Sequence, residues 1–215
     1  MIRVLVVDDH KLVRTGTCRL LADEVGIEII GQASSGEEAI LAVRDEQPDV
    51  VLMDVNMPGI GGLEATRRCL RVDPELKVII VTIYDQEPYP SQLMSIGAAG
   101  YLTKCADVQE MVRAIRKVVS GQRYLTEAIA QQLALRPFNS GEGCPFEILS
   151  SREMQIAIMV TGGQAVTDIS QSLSLSPKTV NSYRYRIFDK LDVRNDVALT
   201  KLAIKHRIID SGIAA

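Results

Sequence analysis

Five polar residues that could handle a phosphoryl group and a metal ion follow short apolar segments of this 215-residue chain. They lie at the ends of the first, third, fourth and fifth segments: Asp8 and Asp9, Asp54, Thr82, and Lys104. If these segments are parallel strands, their carboxyl ends meet at one edge of a sheet, where ligands bind in such folds. A single aspartate there could equally be a helix N-cap, but agreement across four strand ends favours a common site.

Three carboxylates at one edge repel one another unless a cation lies among them. We expect oxygen ligands only, with no His or Cys nearby, and therefore Mg²⁺ rather than zinc. A Mg²⁺ ion beside a carboxylate and a lysine suits phosphoryl transfer, in which the carboxylate attacks and the cations neutralise the phosphoryl oxygens. The sequence has no Walker motif, so a nucleotide is not the expected donor.

The elements that must position these residues alternate regularly over residues 1–120. Short apolar segments predict strands at residues 2–7, 27–33, 50–53, 78–81 and 100–102. Amphipathic segments predict the helices between and after them, at residues 12–23, 36–45, 62–71, 90–96 and 108–120. This alternation predicts an α/β fold with a doubly wound, five-stranded parallel sheet.

The rest of the chain has helical patterns and no strand pattern. A short helix is predicted at 128–135, and residues 136–144 (RPFNSGEGC) have the composition of a flexible linker. Four helices are predicted after the linker; the first begins at Ser151, and the others are at 166–173, 177–191 and 196–205. The second domain is therefore expected to be all-α.

The third of these helices could read DNA. Ser176 and Pro177 form a favourable N-terminus, and Val180, Ile187 and Leu191 recur at helical spacing, which predicts a face packed on the preceding helix. Other positions carry polar and cationic side chains suited to base edges and phosphates in a major groove: Lys178, Asn181, Ser182, Arg184, Tyr185, Arg186 and Lys190. The charged outer face of a helical bundle would give the same pattern.

Composition and charge exclude other functions. The net charge of −3, taken over the whole chain, argues against binding to nucleic acid. Residues 165–207, however, contain eight Lys/Arg and four Asp/Glu. Nucleic-acid binding remains open because phosphate contacts need only a basic face. Trp is absent and aromatic residues make up 4%, which disfavours a stacking platform for single strands. With no signal peptide and no membrane span in the sequence, we expect a cytoplasmic protein with reduced cysteines.

The segments VVDD (6–9), MDVNMPGIGG (53–62), VT (81–82) and GAAGYLTK (97–104) resemble the receiver domain of two-component response regulators, which has the flavodoxin/CheY-like fold. The resemblance implies that Asp54 accepts a phosphoryl group from a sensor histidine kinase. It implies that Thr82 and Lys104 bind the phosphoryl oxygens. It also implies that Tyr101 is the aromatic switch, a side chain that turns inward when Thr82 moves. The Mg²⁺ ligands that it implies are Asp8, Asp9, Asp54 and the backbone carbonyl of Asn56.

Two residues depart from the common receiver pattern. Cys105 follows the lysine where many receivers have a proline with a cis bond; a non-proline cis bond costs about 3–4 kcal/mol, so we do not expect that geometry. Ile83 stands where many receivers have a small residue. Its branched side chain could restrict the access of water to the phosphorylated aspartate.

The segments LSSREMQIAIMV (149–160) and DISQSLSLSPKTVNSYRYRIFDKL (168–191) resemble the LuxR/NarL-type (FixJ-type) DNA-binding domain. The resemblance implies that Asn181, Ser182 and Tyr185 face bases. Residues nearer the phosphates would be Lys178, Thr179, Arg184 and Arg186. Tyr183 replaces a common His, so base preference does not carry over. The motifs SPKTVNSYRYRIF and FNSGEGCPF further resemble the GacA/UvrY group of global regulators.

Together these patterns predict a receiver at 1–120, a linker with a short helix at 121–147, and a helix-turn-helix domain at 148–210. The expected function is transcription regulation, in which Asp54 phosphorylation controls binding to double-stranded promoter DNA by a homodimer joined through the last helix. The alternative is a receiver that signals through protein contacts, with the helical domain as a docking module. A phosphohydrolase is disfavoured because Asp54-Val55-Asn56 lacks the second acid of a D-x-D motif. At most, self-phosphorylation from a phosphodonor and self-dephosphorylation are expected.

Overall fold

The computed structural model describes residues 1–83, 89–135, 144–173, 175–206 and 208–209, and these residues form two compact units. The first unit contains the described residues up to 135, and the second contains those from 144 onward. The predicted linker at 136–144 lies outside the described residues, except for Cys144. No helix in the described ranges is long and apolar enough to cross a membrane.

A parallel sheet of six strands forms the centre of the first unit, in the order β2-β1-β3-β4-β5-β6. The strands are β1 (Ile2–Val7), β2 (Ile27–Ala33), β3 (Val50–Met53), β4 (Lys77–Thr82), β5 (Gly100–Thr103) and β6 (Tyr124–Leu125). Strand β2 is added on one side of β1, and the strands from β3 onward are added on the other side. The order of strands therefore reverses between β1 and β3, which is where doubly wound sheets bind ligands. The predicted α/β class and parallel sheet are confirmed.

The sixth strand, β6, corrects the predicted count of five. It has two residues and pairs in parallel with β5, so that Tyr124 lies opposite Gly100 and Leu125 lies opposite Tyr101. A two-residue strand is too short to produce a hydrophobic period, which is why the sequence pattern did not predict it.

Six helices flank the sheet, and each begins within one residue of its predicted start. They are α1 (Lys11–Ala22), α2 (Gly36–Glu46), α3 (Gly61–Val72), α4 (Tyr89–Ser95), α5 (Val108–Val119) and α6 (Glu127–Leu135). Helix α1 lies beside α5, α2 lies beside α3, and α4 lies beside α6. Ser35 caps α2 and Asp107 caps α5, since each side chain accepts a hydrogen bond from a backbone N–H of the first turn.

The centre of the sheet is rigidly packed. All four residues of β3 are at most 2% exposed, in agreement with its continuous apolar sequence VVLM. The N–H of Asp54 donates to the carbonyl of Val7 on β1, at 2.9 Å. Asp54, the residue that follows β3, is therefore fixed beside the carboxyl end of β1.

The second unit has only helices among the residues that the structure describes from 144 onward. It consists of a short 3₁₀ helix (Pro145–Ile148) and the helices α7 (Ser151–Thr161), α8 (Val166–Ser172), α9 (Pro177–Leu191) and α10 (Asp196–Lys205). Its core is built from fully buried side chains of all these elements, among them Phe146, Ile156, Ile169, Ile187 and Leu199. Helices α8 and α9 pack on each other across a short turn, which is the arrangement of a helix-turn-helix.

Candidate functional site

A buried acidic pocket lies at the carboxyl ends of β1 and β3. Asp8 follows β1 and Asp54 follows β3, and because Val7 pairs with Met53 the two aspartates lie side by side. They are 5% and 2% exposed, respectively. Two carboxylates so close and so poorly hydrated require a cation.

Lys104, just after β5, supplies one positive charge. Its Nζ lies 2.7 Å from Asp8 Oδ2 and 2.9 Å from Asp54 Oδ2, so one ammonium bridges both carboxylates. Burial opposes the charge on Lys104, but hydrogen bonds to the two aspartates outweigh it and raise the pKa of the amine. Burial raises the pKa of Asp54, and Lys104 opposes this shift. The pocket therefore holds more negative charge than its one lysine neutralises.

Asp9 and His10 complete the pocket and correct the expectation that no His lies near the acids. One ligand atom from each of Asp8, Asp9, His10 and Asp54 can be chosen so that all lie within 4.8 Å of one another. His10 Nδ1 is 2.8 Å from Asp9 Oδ1 and 3.5 Å from Asp8 Oδ1. The three carboxylates are a donor set that could bind a divalent cation.

The other predicted receiver residues lie at or near the ends of β3, β4 and β5. Thr82 is fully buried at the end of β4, and its carbonyl accepts a hydrogen bond from the N–H of Lys104 at 2.8 Å. The N–H of Asn56 donates to Asp54 Oδ1 at 3.3 Å. Tyr101 is fully buried on β5, which corresponds to the inward position that the resemblance ascribes to the phosphorylated state.

Gly62 is a positioning residue whose role the sequence reasoning missed. Its N–H donates to the carbonyl of Val55 at 3.0 Å. A Cβ at this position would lie 1.8 Å from the carbonyl oxygen of Asp54 and 2.8 Å from Cα of Val55. Only glycine lets α3 begin this close to the backbone that carries Asp54. The glycine pair at the end of MDVNMPGIGG was the available signal.

In the second unit, α9 presents a polar surface. Lys178, Ser182, Tyr185 and Arg186 are exposed, and Tyr185 keeps 66% of its surface accessible. Its ring is therefore accessible from outside the domain. Thr179 is partly buried, and its hydroxyl lies 2.8 Å from that of Ser176, the N-cap of the helix.

Two of the predicted cations on α9 have partners within the domain. Arg184 donates to Asn181 Oδ1 at 2.7 Å and forms an ion pair with Asp196 at the start of α10. Lys190 Nζ lies 2.7 Å from Oε2 of Glu153, a carboxylate that is 4% exposed and also caps α7. Burial raises the pKa of Glu153, but hydrogen bonds from Lys190 and Ser150 outweigh it and lower the pKa overall.

Family models match both units of the chain. Residues 4–116 match the model described as "Response regulator receiver domain". Residues 147–203 match the model described as "Bacterial regulatory proteins, luxR family".

Individual proteins give the same result. The response regulator GacA of Pseudomonas protegens is 57% identical over 213 residues, which are 99% of this chain and 100% of GacA. The response regulator UvrY of Escherichia coli is 53% identical over 212 residues, 98% of this chain and 97% of UvrY. Among solved structures, RcsB from Salmonella enterica serovar Typhimurium bound to a promoter matches with a TM-score of 0.67 at 22% identity. The match covers 94% of this chain and 97% of RcsB, and it supports the fold.

The receiver match explains the acidic pocket, the luxR match explains the helix-turn-helix, and GacA and UvrY match nearly from end to end. The chain therefore belongs to the GacA/UvrY type of two-component response regulators, which join a receiver domain to a LuxR-type DNA-binding domain and regulate transcription.

Proposed function

We propose that Asp54 is the phosphoacceptor and that its phosphorylation by a sensor histidine kinase controls promoter binding through α9. The observation that carries the proposal is the buried bridge of Lys104 between Asp8 and Asp54. An Asp54 carboxylate oxygen attacks the phosphorus of a phosphohistidine, a P–O bond forms as the N–P bond breaks, and the imidazole nitrogen keeps the electron pair. Lys104 neutralises charge on the phosphoryl oxygens during this step.

Mg²⁺ is the ion we assign to the pocket, held by carboxylates of Asp8, Asp9 and Asp54 and by the backbone carbonyl of Asn56. When bound, it shields the incoming phosphoryl oxygens from the carboxylates. The three carboxylates within reach of one another support this assignment, because oxygen donors suit a hard cation. Transfer from a small phosphodonor to Asp54 and slow hydrolysis of the product are the chemistry that we expect from this pocket alone.

The phosphoryl group adds about two negative charges beside Lys104. Lys104 and Thr82 then bind its oxygens, and because the N–H of Lys104 is bonded to the carbonyl of Thr82, the ends of β4 and β5 move together. Tyr101 on β5 is already fully buried, so we expect the phosphoryl group to stabilise its inward position rather than to create it. Strand β6 pairs with β5, and α5 packs against both strands, which supports a route for the change toward the end of the receiver.

We assign promoter contacts to the exposed face of α9. Asn181, Ser182 and Tyr185 would face base edges, and Lys178 and Arg186 would contact phosphates. Four of the five are exposed, whereas Asn181 is partly buried and its Oδ1 accepts a hydrogen bond from Arg184. Thr179, Arg184 and Lys190 lie on the same helix, and the last two would have to exchange partners in the domain to reach DNA. RcsB, a protein of similar fold, has been solved bound to a promoter in the presence of phosphomimetic BeF3-.

A homodimer formed through α10 would place two α9 helices on successive major grooves. Val197 on α10 supports this surface, since it keeps 65% of its area exposed.

Phosphoryl transfer to Asp54 is tested directly by incubating the full chain with acetyl phosphate and Mg²⁺ and trapping the acyl phosphate with borohydride. The proposal predicts one reduced residue, at position 54. A label at another residue, or none while Mg²⁺ is present, would contradict it.

Lys178 and Lys190 are expected to respond oppositely to the same substitution. Lys178→Met should weaken promoter binding and reduce the slope of log affinity against log salt by about 0.9, the value for one lost phosphate contact. Lys190→Met should instead lower the free energy of unfolding of the second unit by about 1–3 kcal/mol, because buried Glu153 loses a hydrogen-bonded cation. Salt-dependent DNA titrations and urea unfolding measure the two effects. Equal salt slopes for Lys178→Met and wild type would exclude the assigned phosphate contact.

Ile83 is expected to prolong the lifetime of the acyl phosphate. It directly follows Thr82 and is 66% exposed, so it can restrict the approach of water from the solvent side. Ile83→Ala should shorten the lifetime several-fold, whereas Ile83→Leu, which keeps the volume, should change it little. Loss of borohydride-trappable Asp54 over time measures the lifetime, and equal lifetimes for Ile83→Ala and wild type would exclude the role.

A further inference from the structure

The imidazole of His10 lies at the edge of the acidic pocket, and neither helix capping nor core packing accounts for its position. His10 occupies the N-cap position of α1, but its side chain makes no capping hydrogen bond. Its backbone N–H donates to Asp8 Oδ1 at 2.7 Å, which holds the residue beside the pocket. The side chain is 63% exposed, so burial in the core does not account for its position.

The distance between His10 and Asp9 matches that between neighbouring ligands on one metal ion. Adjacent ligands of an octahedral ion with bonds of about 2.1 Å lie about 3 Å apart. His10 Nδ1 is 2.8 Å from Asp9 Oδ1 and 3.5 Å from Asp8 Oδ1. A ring nitrogen of His10 also belongs to the set of ligand atoms from Asp8, Asp9, His10 and Asp54 that lie within 4.8 Å of one another. The nitrogen thus stands where a further ligand to the cation of this pocket would be.

The ligand chemistry then determines which ions benefit. Mg²⁺ prefers oxygen donors and gains little from imidazole, whereas Ni²⁺, Cu²⁺ and Zn²⁺ bind imidazole well. Carboxylates accept both groups of ions.

We propose that His10 Nδ1 is a metal ligand that enables the phosphorylation pocket to bind imidazole-preferring divalent cations in competition with Mg²⁺. The inference rests on the proposed function, because it concerns the same pocket. It makes His10 a specificity-determining residue for the metal, and it makes ions such as Ni²⁺ competitors for the site.

The competing role for His10 is a hydrogen bond from Nδ1–H to Asp9 that only positions the carboxylate. His10→Asn separates the two, since an amide can donate to Asp9 but has no imidazole nitrogen. His206→Ala is the matched control, because it removes the other His of the chain, at the end of α10 in the second unit.

The experiment is calorimetric titration of the untagged full chain with Mg²⁺ and, separately, with Ni²⁺, for wild type and the variants His10→Ala, His10→Asn and His206→Ala. The ratio of Ni²⁺ to Mg²⁺ affinity should fall at least about tenfold in both His10 variants, since losing even an outer-shell partner costs that much. It should be unchanged in His206→Ala. Asp54→Asn should weaken the binding of both ions, because they share the pocket.

An unchanged ratio in His10→Ala would overturn the inference, and so would a ratio restored by His10→Asn or lowered by His206→Ala. If wild type still binds Mg²⁺ normally in these cases, the proposed function is not contradicted. Failure of wild type to bind Mg²⁺ at all would instead count against the proposed phosphorylation site itself.

Discussion

Gly62→Ala is expected to destabilise the receiver by about 3 kcal/mol or more and to abolish phosphoryl uptake. The added methyl group would lie 1.8 Å from the Asp54 carbonyl oxygen and 2.8 Å from Val55 Cα. Both are backbone atoms, and they cannot rotate away as the end of a long side chain can. The start of α3 or the Asp54 backbone must move, and either shift displaces the carboxylate from Lys104.

Gly16→Ala is the matched control. Gly16 lies within α1, and a Cβ there meets no atom within 4 Å. The substitution should raise the free energy of unfolding by about 0.5–1 kcal/mol, because alanine favours the helix. Urea unfolding measures both variants, and acetyl phosphate labelling measures uptake. A Gly62→Ala protein with wild-type stability and labelling would contradict the assigned close approach.

Asp54→Asn is expected to eliminate the borohydride-trappable acyl phosphate while making the folded receiver more stable at neutral pH. An amide is no nucleophile toward phosphorus, so the first effect should be complete. The second follows from burial: the pKa of Asp54 is raised because the buried carboxylate is poorly hydrated. A raised folded pKa means that stability increases as pH falls through that pKa, and that the ionised group costs stability above it.

Thermal unfolding without Mg²⁺ at neutral pH checks the sign of that effect. The variant should have the higher melting temperature, and the difference should shrink as the pH is lowered and the wild-type carboxyl becomes protonated. Asp45→Asn is the control, since Asp45 is an exposed aspartate on α2. A melting temperature of Asp54→Asn below that of wild type would show that the bond to Lys104 outweighs the cost of burial.

The sequence was most informative where burial and repetition are strong. Residues 50–53 are apolar throughout because β3 is covered on both faces, and that pattern placed Asp54 at a strand end. Helix α9 was predicted at its observed bounds because Ser176 and Pro177 begin it and an apolar stripe runs through it. Both features follow from residue patterns within one short segment, and such patterns can be read from a single sequence.

Features that depend on contacts distant in sequence were not predictable. The pairing of Lys190 with Glu153 joins residues 37 positions apart and turns a presumed phosphate contact into a partner of a buried carboxylate. His10 is a different case: it adjoins Asp9 in the chain, but the three carboxylates indicated a site of oxygen donors only, and its imidazole was not predicted to lie there. The role of Gly62 required knowledge of how closely α3 approaches the end of β3.

The central claim is that a phosphoryl group on Asp54 controls DNA binding by the second unit. The most direct test is a fluorescence-anisotropy titration of promoter DNA with the full chain, at one fixed salt concentration with Mg²⁺ present, with and without acetyl phosphate. We predict that phosphorylation changes the affinity of wild type at least about tenfold, a coupling within the usual range of about 1–3 kcal/mol, and leaves the affinity of Asp54→Asn unchanged. Equal wild-type affinities with and without a phosphoryl group verified on Asp54, or an equal response in Asp54→Asn, would contradict the account.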